Sequence, residues 1–220
     1  MNAESPRYLD LIDDICCLNW RGISQDELLS AAWAYYFFSI QFRENLLIAR
    51  SLYPDDTKLQ QLEEEECDTH NLSPWPGVAL PGERMNHDEF MRRSLTLCPL
   101  DPSLRQRMEE LGQAYLATVR EIAPMTRAVS ISSYENGGLQ SVFNAYLTSP
   151  AWDMPALKAF GHFLIEHIKF DGDGTEEHGH GALARHLVPD DRILPLWAAF
   201  KDLLISSVPG LARRPAAHRL

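Results

Sequence analysis

Apolar residues along this chain recur every three or four positions, the period of a helix face; strict alternation, the mark of a half-buried strand, is almost absent. Tyr8–Asn19 carries Leu9, Ile12, Ile15 and Cys16 at helical spacing. A long helix is expected from Ser24 to about Leu52: Ser-Gln-Asp-Glu places Glu27 three residues after a capping serine, and Pro54 follows the end. Asp56 opens a helix over Lys58–Cys67 that ends in Glu63–Glu66. Asn86 heads His87–Leu97, stopped by Pro99, and Pro102 and Ser103 start a helix reaching about Ile122. Met125–Leu147 follows Pro124; Gly137 and Gly138 lower its helicity by roughly 1 kcal/mol each relative to Ala. Pro155 suits the first turn of Ala156–Phe170. Asp171–Thr175 is poor helix material, Glu176–Leu187 and Asp190–Ser207 complete the set, and Gly210–Leu220 is expected to fray.

This pattern predicts an all-α fold, a single compact bundle of seven or eight helices in one domain over residues 1–220, with its core at about 24–207. Thr69–Met85, with Pro74, Pro76, Gly77, Pro81 and Gly82, reads as a long loop of the kind that borders functional sites.

A chain of 220 residues buries a sizeable core without help from a metal or a disulfide. Its apolar fraction of 45% and charged fraction of 23% are those of an ordinary globular protein. The formal net charge of -11 argues against a nucleic-acid partner, which needs a basic surface, and for solubility. Ala31–Ile40 is apolar and aromatic but is interrupted by Ser39 and followed by Gln41, Arg43 and Glu44; no run approaches the ~20 residues of a membrane helix. Cys16, Cys17, Cys67 and Cys98 form no CxxC pair, which suits free thiols in a reducing cytosol. The start of the chain shows no signal peptide, so a cytoplasmic protein with no membrane partner is expected.

The stretch from His167 to His180 holds three imidazoles and four carboxylates in fourteen positions, directly after an apolar segment. Unpaired buried charge is costly, so such groups need a metal, each other or solvent. His167 and Asp171, four residues apart, share a helix face. His178 comes close to three turns after His167, and His180 is its rival. In the Glu63–Glu66 run at least one carboxylate must turn toward the face marked by Leu59 and Leu62, with Glu65 and Glu66 the candidates. His87 opens a helix, and Glu135 sits centrally in an apolar one. A solvated acidic face for Glu63–Glu66 and a solvated polar loop capping a core helix for the histidine stretch are the bland readings of these groups taken singly. Imidazoles and carboxylates with no thiolate nearby suit iron or manganese better than structural zinc. Only one Glu-x-x-His occurs, Glu177–His180, with no His-Glu-x-x-His, phosphate loop or Gly-x-Ser-x-Gly elbow.

A Glu-rich helix end, then Asn-His opening the next helix, then a central Glu, then His-x-x-x-Asp followed by His resembles the haem-oxygenase-like di-metal oxidases and oxygenases. That superfamily shares its bundle with pyrroloquinoline quinone synthase-like and thiaminase-like proteins. The resemblance runs from about Ser24 to Ser207. It implies metal ligands at Glu65 (with Glu66 as the other register), His87 (with His70 as rival), Glu135, His167, Asp171 and His178 (with His180 as rival). The spacing departs from the family's after Asp171, where Gly-Asp-Gly-Thr looks like an inserted turn.

The resemblance further implies two iron ions, with manganese as the alternative, that activate O₂ against a small-molecule substrate in a biosynthetic pathway. An amine, an amino-acid-like or a fatty-acid-like substrate fits family precedent. Tyr134, Trp33, Tyr35, Tyr36 and Phe163 are expected pocket walls. A homodimer is allowed. The competing expectations are a metal-free quinone-synthase-like oxidase and a non-catalytic helical binding protein. A thiaminase-like reaction fits poorly, because Cys98 stands at a helix end before Pro99. A haem oxygenase fits poorly because the first histidine is as late as His70.

Overall fold

The chain's structure, a computed structural model, describes residues 6–69, 74–172 and 180–213, without the side chains of 170–172. Helix α1, Arg7–Cys16, turns Tyr8, Ile12 and Ile15 inward. Leu9, expected on that face, is exposed at 40%, and the larger Tyr8 ring takes the buried position instead. Helix α2 spans Gln25–Leu52 and begins as its capping residues dictate: Ser24 Oγ accepts from Glu27 N at 3.3 Å, and Glu27 accepts from Ser24 N at 2.8 Å. Its buried residues, among them Leu28, Ala31, Ala34, Phe37 and Phe42, lie all round the helix. A helix apolar on every side must be surrounded, and α2 is the central post of the bundle.

Around it stand α3 (Thr57–Cys67, capped by Asp56), α4 (His87–Thr96), α5 (Pro102–Arg120, capped by Asp101), α6 (Pro124–Ser133), α7 (Leu139–Leu147), α8 (Pro155–Gly172), α9 (His180–Ala184) and α10 (Leu194–Ser207). Helix α2 packs on α3, α4, α5, α6, α8 and α10, while α4 packs on α8 and α3 on α9. The fold is thus all-helical among the described residues, with only the isolated bridges Thr69–Met85 and Trp75–Ala79 in the long loop. The seven or eight expected helices resolve into more pieces because Met125–Leu147 is divided and α9 is short. The division is a π turn, Tyr134–Gly138, in which Asn136 leaves helical geometry and Gly137 takes φ +92°. A side chain at that φ would be strained, so glycine permits the break.

The core extends beyond its expected limits at both ends. Trp20 is buried and donates to Ile15 O, and Asn19 N donates to Leu211 O at 2.9 Å. The first part of the tail therefore does not fray: Gly210 and Leu211 are buried in a 3-10 turn, Pro209–Ala212, because that hydrogen bond and the apolar Leu211 side chain hold it down. Residues 214–220 lie outside the described residues. Among the described residues no helix is long and apolar enough to cross a membrane.

Candidate metal centre

Helix α3 brings its acidic end to the interior through Leu59, Leu62 and Glu66, which share its buried face at a spacing of three and four residues. Glu66 is therefore the inward carboxylate, and Glu65, one position earlier, turns to the edge of the site at 28% side-chain exposure. His87 is the first residue of α4, His167 comes from the last third of α8, Glu135 from the π turn and His180 from the first position of α9. Single-turn π segments recur at functional sites because they redirect one side chain without ending the helix.

These residues form two groups that share Glu66. In the first, Glu66 Oε2 lies 2.6 Å from His87 Nδ1, and His167 Nε2 lies 3.1 Å from the same nitrogen. His167 Nδ1 stands 2.8 Å from the Phe163 carbonyl, which can only accept, so Nδ1 carries the proton and Nε2 presents its lone pair to the group. In the second, His180 Nδ1 lies 3.0 Å from Glu66 Oε1 and 3.4 Å from Glu135 Oε2, while its Nε2 lies 3.1 Å from Glu65 Oε2. One carboxylate thus turns an oxygen to each side.

The electrostatics follow from burial. Burial works to raise Glu66, but the His87 and His180 imidazoles outweigh it and hold the carboxyl well below its usual range. Burial raises Glu135, with the Glu66 charge adding to the effect. Burial opposes charge on His180, yet Glu66, Glu135 and Glu65 push it well above an ordinary imidazole. His167 is pushed down to about 3, first by burial and then by His87, so it is neutral over the working range.

The donor set fits hard or borderline divalent cations. The ligand atoms within each group lie within 4.8 Å of one another, and no thiolate competes: burial pushes the neighbouring Cys67 thiol up to about 12. His87 Nε2 is buried with no hydrogen-bond partner among the described residues, so this ring is not tied down by a second acceptor. The cavity beside the groups has a volume of about 20 Å³, room for a water-sized body. Tyr35, Phe42, Tyr134, Leu139 and Phe143 supply its apolar wall, and Arg43 and Asp88, paired at 2.8 Å, its polar side. The rings of Phe163 and His167 are 4.1 Å apart, which holds the imidazole from its face.

Of the residues expected from sequence, His87, Glu135 and His167 converge here. Glu65 stands at the rim, and Glu66 and His180, kept as alternatives, take the inner positions. The Asp171 side chain, His178 and His70 lie outside the described residues. Tyr35 and Tyr134 border the cavity as expected and Phe163 backs the histidines, whereas Trp33 and Tyr36 face elsewhere. Sequence reasoning passed over Gly181. A Cβ there would lie 3.0 Å from Glu135 O, so glycine lets α9 press His180 against the π turn.

Comparison of the chain with protein-family models, curated proteins and solved structures finds no match.

Proposed function

We propose that this protein is a non-haem di-metal oxidase or oxygenase of the haem-oxygenase-like superfamily, which uses two iron ions (or manganese) and O₂ to oxidise a small amine, amino-acid-like or fatty-acid-like substrate. One observation carries the reading: Glu66 directs one oxygen to His87 and the other to His180, the arrangement a carboxylate needs to span two cations. His87 and His167 would hold one ion with Glu66; His180 and Glu135 would hold the other with Glu66. When bound, the pair would supply the O₂ binding and the electrons that protein side chains lack.

The chain's own part is positional. The Phe163 carbonyl fixes the tautomer of His167, and the π turn sets the reach of Glu135. Buried Tyr134, with its hydroxyl accepting from Gln41 Nε2 at 2.8 Å, and Phe143 keep bulk water from the cavity. Carboxylates suit the role because they shift between terminal and bridging contacts as charge changes. The free thiols suit a cytosolic setting.

The test is anaerobic loading with ferrous iron followed by admission of O₂. Two irons per chain and a transient visible band are expected; neither appearing would end the proposal. A second reading has its own support. His180 faces three carboxylates that raise its pKa and favour the imidazolium, so a protonated His180 offsets part of the cluster's negative charge without an ion, as in a metal-free oxidase that shuttles protons. Metal analysis of the purified protein separates the two.

A further inference from the structure

Helix α9 carries His180 and is only five residues long. A helix that short has no stability of its own in water and takes its place from what it touches. It packs on α3 and on the π turn. His180, Leu183, Ala184 and Leu187 are all buried, and their spacing puts them on one side of the segment. Burial of apolar side chains is non-directional, so it holds α9 against α3 without fixing its position along that helix.

Two polar contacts supply the missing register. At the first residue of α9, His180 Nε2 lies 3.1 Å from Glu65 Oε2 and Nδ1 lies 3.0 Å from Glu66 Oε1, both near the end of α3. Two residues past the end of α9, His186 Nε2 lies 2.5 Å from Oδ2 of Asp56, the residue before the start of α3. The other oxygen of Asp56 caps α3: Oδ1 accepts from Lys58 N at 3.0 Å and from Leu59 N at 3.1 Å. One carboxylate thus ties the beginning of α3 to the end of the α9 segment. Asp56 and Glu66 stand ~15 Å apart along α3 at a rise of ~1.5 Å per residue, so α9 runs antiparallel to α3 and is fastened at both ends.

We infer that Asp56 and His186 are positioning residues for His180. Their contact sets the register of α9 on α3 and so keeps the His180 ring where Glu66 and Glu135 can share a cation with it. Neither residue belongs to a metal group, and the consequence at the site rests on the metal reading.

The test compares the full chain with His186→Ala and with His186→Gln, whose amide nitrogen can still donate to Asp56. Both variants leave the Asp56 cap of α3 in place, and His186 is 37% exposed, so the fold tolerates them. Cobaltous ion is the probe, with the two sites told apart by the hyperfine-shifted ring protons of His87 and His167 against those of His180. A partly exposed pair of this kind changes an equilibrium constant by about fivefold at most. His186→Ala should therefore weaken cobalt binding at the Glu66, Glu135 and His180 group roughly threefold to fivefold and leave the Glu66, His87 and His167 group unchanged. In the metal-free chain it should speed amide exchange at Ala184 and Leu187, corrected for the substituted neighbour, by about the same factor and leave α2 unchanged. His186→Gln should recover most of both effects. Unchanged exchange in His186→Ala would overturn the inference, as would equal weakening of the two sites or a glutamine variant no better than the alanine one. Should the native chain bind no cobalt, the metal reading fails by itself, and the exchange measurement alone decides whether the pair holds α9.

Discussion

Glu66 Oε1 lies 3.0 Å from His180 Nδ1, and its other oxygen, Oε2, lies 2.6 Å from Nδ1 of the opposite histidine, His87. That single side chain joins the two halves of the centre. Glu65, beside it in sequence, meets the cluster from the outer side, its Oε2 3.1 Å from His180 Nε2, while its Oε1 accepts from Gln61 Nε2 at 2.8 Å.

Glu66→Gln and Glu65→Gln should therefore behave differently. The first should lower bound metal from two ions per chain to one or fewer; the second should keep two. In the metal-free protein Glu66→Gln should also cost about 3 kcal/mol, because it removes a buried carboxylate from between two imidazoles. Elemental analysis and denaturant melts read both effects. Equal metal content in the two variants would remove Glu66 from its proposed bridging role.

Gly181→Ala probes the contact between α9 and the π turn. The new methyl would meet backbone, Glu135 O at 3.0 Å, which cannot rotate away as a side chain can. The expected result is a loss of about 1–2 kcal/mol in stability and a weaker second metal site with the first unaffected. Competition with a chromophoric chelator distinguishes the two sites.

Metal removal should lower thermal stability. With free ion at a hundred times its dissociation constant, one site contributes about 2.7 kcal/mol. For a chain of this size that amounts to roughly 5–10 °C in Tm. Calorimetry before and after chelation and dialysis measures it, and an unchanged Tm counts against a resident metal.

The acid limb of stability should carry a contribution from Glu44. Burial works to raise this carboxyl, but hydrogen bonds from Arg120 and Arg127 lower it below its ordinary 4.5. A depressed carboxyl stabilises the fold fully above that value and loses the contribution as pH falls through the folded pKa. Arg127 is 6% exposed and keeps only Asn45 Oδ1, at 2.7 Å, if Glu44 is neutralised. Glu44→Gln should cost about 1–2 kcal/mol at pH 7, discounted because Glu44 is partly solvated, and the gap from the native chain should narrow below pH ~4. Parallel melts at the two pH values provide the check, and a gap that widens in acid would contradict the assignment.

Much of the fold was legible from local rules. The capping box at Ser24, Asp56 before α3 and Pro155 at the start of α8 mark helix starts through backbone chemistry confined to a few residues. Helix α1 and the tail were harder to read. Leu9 and Tyr8 compete for one buried face, and the docking of Leu211 rests on a hydrogen bond to Asn19, nearly the full chain length away. The site was legible in the same uneven way. His87 and His167 follow from helix position. The spacing of Leu59, Leu62 and Glu66 contains the signal that favours Glu66 over Glu65.

The order of apolar and polar residues alone determined that this chain is helical, where its main helices begin, and which few ionisable residues were candidates for inward faces, because each of these depends on neighbours within a turn or two. Tertiary structure alone decided that Glu66 faces two histidines at once, that a glycine-permitted π turn delivers Glu135, and that Trp33 and Tyr36 line a cavity apart from the metal groups. Those relations depend on how separate helices rotate and approach one another. Packing around α2 sets that geometry, and no local sequence pattern encodes it.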